Sequence, residues 1–343
     1  MKAYCFLPWS KLKIDANGEF QSCCHQTEYY GNLITENLSI QEALQKSKLR
    51  DVRVETLNKT LHRSCNNKQC PYFFKELERT KDVGLVQYPE QIELNLPSTW
   101  CNIGGLNPTP ETACIMCPRS SAKFMEREGG VDYTEQLLDK IRPVIPYVKS
   151  FTVLGIAEPF WKGKLFEILD KVDWRTHMEG KWFWTYSNAT VLGEKYQDLF
   201  LNEYTDHTCL GFSIDATTPE TYMKVRRLDY FKTIQRNLEM YFKKASIIKK
   251  EKDNSFISNN INMLNLHEVE DMVRFANNLG AHKLQLSLTY FSDAGMALKG
   301  NMLCNESNWE LFWEKQQRAE QIAKELNQEI EFYYPFHNGY LKQ

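Results

Sequence analysis

The sequence predicts an α/β protein in which a small cysteine-rich module precedes a long run of alternating strands and helices. Three observations predict it. From Gln91 onward, strand-like and helix-like stretches alternate six times, which suits a parallel sheet or a barrel. Seven of the ten cysteines fall into two sets, one before that run and one at its first strand. The apolar fraction of 42% is enough for a full core, yet no apolar stretch is long enough to cross a membrane.

Residues 1–80 form the first unit. Cys5 opens it, Lys11–Asp15 alternates as a strand, Ala16-Asn17-Gly18 is a turn, and Glu19–Ser22 leads to Cys23. This is a hairpin with a cysteine at each end, suited to clamping a metal group. Ser39 to about Leu57 reads as helix with Ser39 as N-cap. Cys65 and Cys70 bracket a tight turn. Residues 81–90 read as a linker, and residues 91–343 as the second unit. Its strands are expected near 91–96, 151–155, 182–188, 208–215, 255–264 and 283–289. Its helices are expected near 133–145, 163–171, 193–202, 219–243, 267–279 and 306–327, with one extra strand over Glu329–Phe336.

Composition narrows the function. Net charge is −2 with acids and bases interspersed, which argues against an electrostatic nucleic-acid mode. The basic run from Lys243 to Lys252 reads as a solvated helix end. The first nine residues are too short and too aromatic for a signal peptide, so a cytoplasmic location is expected. Disulfides rarely persist there, and close cysteine pairs read as metal or redox sites.

The second cysteine set is the more informative. It runs Cys101, twelve residues, then Cys114-Ile115-Met116-Cys117-Pro118-Arg119, directly after the strand Ile92–Leu96. Three thiolates on one loop can hold three irons of a cubane cluster and leave the fourth iron open to a ligand. A structural zinc site wants a fourth cysteine or histidine, and the following residues supply none. In barrel enzymes the chemistry sits on loops at the carboxyl ends of strands, where this loop falls. The four thiolates of Cys5, Cys23, Cys65 and Cys70 suit zinc as well as a cluster by count alone. Cys24, Cys209 and Cys304 read as packed or surface thiols. His25, His62, His207 and His282 have no metal-ligand spacing.

These motifs resemble the radical S-adenosylmethionine (SAM) enzymes, and within them those with a twitch or SPASM-type auxiliary-cluster module, here at the amino end. The resemblance spans roughly residues 4–290. Cys114-Ile115-Met116-Cys117-Pro118-Arg119 matches the second half of the family's cysteine loop, although twelve residues separate Cys101 from Cys114 where the family usually has three. Gly155-Ile156-Ala157-Glu158-Pro159 looks like its Gly-Gly-Glu-Pro segment, with Ala157 in place of the second glycine. Ser187-Asn188-Ala189 sits where the family often has Thr-Asn-Gly. The stretch from Leu210 through Ser213 and Asp215 to Arg226-Arg227 resembles its fourth strand and following helix. Cys5, Gly18 and Cys23 fit the opening of the SPASM and twitch modules, as do Gly31-Asn32-Leu33 and Leu49-Arg50.

The resemblance implies a partial (β/α)6 TIM-type barrel over residues 91–343 behind the auxiliary module. It implies SAM and two 4Fe–4S clusters as cofactors, one open to SAM on Cys101, Cys114 and Cys117, one auxiliary on Cys5, Cys23, Cys65 and Cys70. It places Gly155, Glu158, Ser187, Asn188, Ser213 and Arg226 around SAM, with Glu158 accepting from the amino group and Arg226 pairing with the carboxylate. The implied activity is reductive cleavage of SAM to a 5′-deoxyadenosyl radical that takes a hydrogen atom from substrate. That substrate is expected to be a ribosomally made peptide, to be crosslinked, epimerised or excised. A separate leader-recognition protein and a reductant such as flavodoxin or ferredoxin are the expected partners. Two other readings stand beside it: a dehydrogenase of a sugar or aminocyclitol alcohol, and a non-catalytic zinc-ribbon interaction protein. No residue is assigned as the second hydrogen or electron donor.

Overall fold

The computed structural model describes residues 2–3, 5–23, 26–58, 60, 62–65, 81–82, 84, 86–103, 112–120, 131–204, 208–248, 254–288 and 308–333. Cys24, His25, Cys70, His207 and Cys304 lie outside these.

The amino-terminal module begins with β1 (Lys2–Ala3) and a short helix α1 (Leu7–Ser10). The hairpin β2 (Lys11–Ile14) and β3 (Glu19–Gln21) follows, then β4 (Gly31–Asn32). The turn of the hairpin works because Gly18 takes φ 86°, a left-handed conformation that favours glycine. Ser39 does cap a helix, through a full capping box with Glu42. The expected single helix to Leu57 is two, α2 (Ile40–Ala43) and α3 (Ser47–Leu57). A strand β5 (Lys81–Asp82) returns to pair with β1.

The six expected strands are all present: β6 (Gln91–Leu96), β7 (Ser150–Gly155), β8 (Trp182–Ser187), β9 (Thr208–Ser213), β10 (Phe256–Ile261) and β11 (Lys283–Leu288). The extra strand is β12 (Glu329–Tyr333), parallel to β11. Between them run α4 (Thr134–Ile141), α5 (Lys164–Lys171), α6 (Trp174–His177), α7 (Glu194–Glu203), α8 (Pro219–Arg226), α9 (Phe231–Ile248), α10 (Val269–Leu279) and α11 (Trp309–Leu326). The sheet order is β12-β11-β10-β9-β8-β7-β6-β2-β3-β4. Consecutive parallel strands lie side by side, and right-handed crossovers then put every helix on one face. That is a half-barrel rather than a sheet wound on both sides.

Burial follows from this. Ile92, Leu94, Phe151, Val153, Phe183, Leu210, Phe212, Ile257, Leu284 and Leu286 alternate along their strands and are buried. They meet the apolar stripes of the helices, such as Leu137 and Ile141, Phe166 and Leu169, Leu238 and Tyr241, and Met272 and Val273. The opposite face carries Thr152, Trp184, Ser213, Gln285 and Ser287, none of them fully buried.

Two differences from expectation matter for the site. The helix expected over 219–243 breaks at Arg227, which adopts φ 64° and closes α8 by donating its N–H to Met223. No glycine or proline announces that break. The module also joins the barrel sheet directly: β2 runs parallel to β6, with Lys11 opposite Gln91 and Ile14 opposite Leu94. Asn95 donates to Asp15 (2.6 Å), Lys11 pairs with Glu93 (2.5 Å), and Tyr133 donates its N–H to the Ala16 carbonyl (3.0 Å). The segment 81–90 separates two regions of chain that share one core.

Candidate active site at the carboxyl ends of the strands

The cysteine loop leaves the end of β6. Pro97 ends the strand, a 3-10 turn covers Ser98–Trp100, and Cys101 donates its N–H back to Ser98. After the residues outside the described set, Cys114 to Cys117 make a tight turn, with the Cys117 N–H on the Cys114 carbonyl (2.9 Å). Two contacts fix that turn. Ile115 donates its N–H to Val225 (3.0 Å) and packs its side chain against Val225 on α8. Arg119, fully buried, reaches back to the Ile103 carbonyl (2.7 Å). It thereby ties the Cys117 side of the loop to the Cys101 side. Sequence reasoning quoted Arg119 within a motif and gave it no role.

Burial pushes all three thiols up, Cys117 to about 12. Arg119 opposes this at Cys101, and Arg226 does so at Cys114. Any metal held at this loop would have to displace protons from neutral thiols.

Gly155 ends β7 at φ 120°, and a Cβ there would lie 2.7 Å from the Leu96 backbone nitrogen. Only glycine lets the ends of β6 and β7 come this close. Ala157 is not among the residues of positive φ, so the alanine that departs from the family pattern costs no backbone strain. Glu158 is completely buried. One carboxylate oxygen, Oε1, accepts from the Ser187 hydroxyl (2.9 Å) and the Phe160 N–H (3.1 Å). The other, Oε2, accepts from the Asn188 N–H (2.7 Å). The carboxylate thus knots the end of β7 to the end of β8, and Oε2 keeps room for another donor. Burial holds its pKa at about 7, against the pull of those three donors. Asn188 extends the network by donating to Asn102 (3.1 Å), which donates to Thr190 (2.8 Å). Asn102, next to Cys101, was not singled out from the sequence.

Arg226 already has partners within the protein. Its guanidinium is buried and already engaged: Nη2 meets Asp215 Oδ2 at 2.6 Å and donates to the Ser213 carbonyl (2.8 Å). Nη1 donates to the Cys114 sulfur at 3.8 Å. Asp215 thus takes Nη2 alone, while Nε has no hydrogen-bond partner. Burial alone would lower the Arg226 pKa; Asp215, then Cys114 and Tyr222, outweigh it and hold the group charged. Ser213, half-buried, contributes its carbonyl to this pair.

The surroundings suit an anionic, sulfur-rich group. Arg226 Nε and the Tyr222 hydroxyl are buried without a hydrogen-bond partner, beside a cysteine whose charge each would stabilise. Among the described residues no three Cys, His, Asp or Glu side chains converge on one ion-sized point. Three thiolates that each ligate a different iron of a cubane need no such convergence. In the amino-terminal module, Gln26 forms a bridge with Cys65, and its N–H meets the Cys23 carbonyl (3.2 Å). Burial raises the pKa of Tyr30, and both Cys65 and Cys23 add to that. The structure thus draws Cys23 and Cys65 together. Cys5 is half-buried between β1 and α1. Cys70 lies outside the described residues.

Residues 5–71 match the family model of the iron–sulfur cluster-binding SPASM domain. The fold of the chain is similar to those of two proteins of known structure. Streptococcus suis SuiB shares the fold at TM-score 0.50 and 9% identity, over 85% of this chain and 54% of SuiB. anSMEcpe with bound AdoMet shares it at TM-score 0.52 and 18% identity, over 71% of this chain and 63% of that one. anSMEcpe with bound AdoMet and a Cp18Cys peptide gives TM-score 0.50 and 18% identity, over 71% and 62%. The chain spans just over half of SuiB and less than two thirds of anSMEcpe. Curated proteins give no match. Among the described residues no helix is long and apolar enough to cross a membrane.

Proposed function

We propose that this chain is a radical SAM enzyme that takes a hydrogen atom from a peptide. The observation that carries the reading is that the cysteine-bearing ends meet the strand ends: Asn102 beside Cys101 joins Asn188 and Glu158, and Cys114 joins Arg226, which holds the Ser213 carbonyl. A four-iron cluster on Cys101, Cys114 and Cys117, when bound, supplies the electron that cleaves the SAM sulfonium to methionine and a 5′-deoxyadenosyl radical. The protein's part is ligation and placement. Arg119 and Ile115 fix the loop. Glu158 offers Oε2 to the SAM amino group. Gly155 keeps the ends of β6 and β7 together beneath it. Cys5, Cys23, Cys65 and Cys70 would hold a second cluster in the SPASM module, which is joined to β6 through β2 and so lies on the same sheet as the first.

The peptide substrate is supported by the neighbour solved with bound AdoMet and a Cp18Cys peptide. Isotope transfer tests it: reconstituted protein should move deuterium from a labelled peptide, encoded beside this gene, into 5′-deoxyadenosine. Deuterium transfer from a labelled sugar or aminocyclitol, with none from peptide, would favour the alcohol dehydrogenase instead.

A further inference from the structure

A buried cation outside the cysteine loop is aimed at Cys114, one of its sulfurs. Arg226 Nη1 lies 3.8 Å from Cys114 Sγ, and every contact around it fixes that aim. Asp215 meets Nη2 at 2.6 Å, and the Ser213 carbonyl accepts from it at 2.8 Å. Asp215 is itself held on three further sides. Its Oδ1 accepts the Asn260 N–H (2.6 Å), its own N–H donates to Asn259 Oδ1 (2.6 Å), and its carbonyl accepts from Asn265 (2.9 Å). Asp215 and Arg227 both sit at positive φ without being glycine, at 65° and 64°. Such conformations persist only where the surroundings over-determine them.

We propose that Asp215 and Arg226 are positioning residues that set the reduction potential of the cluster held by Cys101, Cys114 and Cys117. The proposal rests on the cluster reading above. Reduction adds negative charge to the cluster and its sulfurs. A fixed cation donating a hydrogen bond to one of those sulfurs favours the reduced state, and potentials of such clusters follow net charge and hydrogen bonds to sulfur. Asp215 orients the guanidinium and, one step farther from the sulfur, offsets part of its charge. Removing the carboxylate charge should therefore raise the potential. Removing both charges should lower it, because the nearer group is the cation.

The test is a redox titration of the anaerobic holoprotein without SAM, read by the electron paramagnetic resonance of the reduced cluster and paired with iron content. Arg226→Gln alone strands a buried carboxylate, so the double variant Arg226→Gln/Asp215→Asn carries the argument. At a fixed poise its reduced-to-oxidised ratio should fall at least tenfold, which is 59 mV for one electron. Asp215→Asn alone should raise that ratio at least threefold. A pair that merely braces the fold would lower melting temperatures and leave both ratios within threefold of wild type; that result, at wild-type iron content, overturns the proposal. So does a shift of the two variants in the same direction. Wild-type protein that takes up no iron at Cys114 and Cys117 defeats the cluster reading first, and is recognised by the iron count.

Discussion

Replacing Glu158 by glutamine removes one ionisable group at a fully buried position with three donors to satisfy. The wild-type carboxyl is held at about 7 by burial, against 4.5 for the ordinary group. The sign follows from linkage. Between those values the native state keeps the proton that the unfolded chain has lost. The stabilisation is full below 4.5 and disappears as pH rises through about 7. Its size is about 3 kcal/mol, since each pKa unit is worth about 1.4 kcal/mol. Glutamine carries no such proton. It does place an amide where Oε2 accepts the Asn188 N–H, because Oε1 already serves two donors. A stranded buried N–H costs about 1–3 kcal/mol. Glu158→Gln should therefore be less stable than wild type by about 1–3 kcal/mol near pH 5. The gap should close or reverse by about pH 8. Denaturant unfolding of both metal-free proteins across that range gives the difference directly, with other carboxyls cancelling. A difference that stays flat across the range would refute the argument, by showing that Glu158 is ionised throughout. The same proton governs ligand binding: SAM affinity should fall as pH drops below about 7, about tenfold per unit, as Oε2 stops being a carboxylate acceptor.

Gly155→Ala should destabilise the protein by about 2–6 kcal/mol by thermal or chemical melting, combining a strained φ with a 2.7 Å clash on Leu96. Arg227→Gly should stabilise it by up to about 1 kcal/mol, because glycine relieves the left-handed position at some cost in unfolded-state entropy; a loss would show that the Arg227 side chain holds a contact of its own. Arg226→Ala should cost about 3–5 kcal/mol, the penalty of leaving buried Asp215 unpaired, so it should fail first in melting rather than in SAM affinity. Cys5→Ala with Cys23→Ala should remove about half the iron and spare SAM cleavage in the absence of substrate; equal loss of cleavage would assign the module to folding alone.

The order of strands and helices was legible because strands such as β7 and β11 alternate and the helices carry apolar stripes. Both signals survive in single residues such as Phe151 and Val153, or Leu137 and Ile141. What failed was short or unpunctuated. The helices at Leu7–Ser10 and Trp174–His177 are a single turn, too brief for a period, and the break at Arg227 uses an arginine where glycine is the usual signal. At the site, Glu158, Ser187 and Asn188 were named and the structure binds them in one network. Arg226 was named for the SAM carboxylate, and the fold adds a partner within the protein. Sequence spacing can bring an arginine to the ligand end of a strand, but only the fold shows that Asp215, eleven positions earlier, pairs with its Nη2. Arg119 and Asn102 were missed because their partners, Ile103 and Thr190, are a backbone carbonyl and a distant hydroxyl, neither of which leaves a mark in a motif.

The central claim is tested most directly by anaerobic reconstitution with iron and sulfide, followed by an iron count and a 5′-deoxyadenosine assay with SAM and dithionite. The account predicts about eight irons per chain and formation of 5′-deoxyadenosine. It predicts loss of about half the iron, and all of the product, in Cys114→Ala/Cys117→Ala. A colourless protein with stoichiometric zinc and no 5′-deoxyadenosine would contradict it.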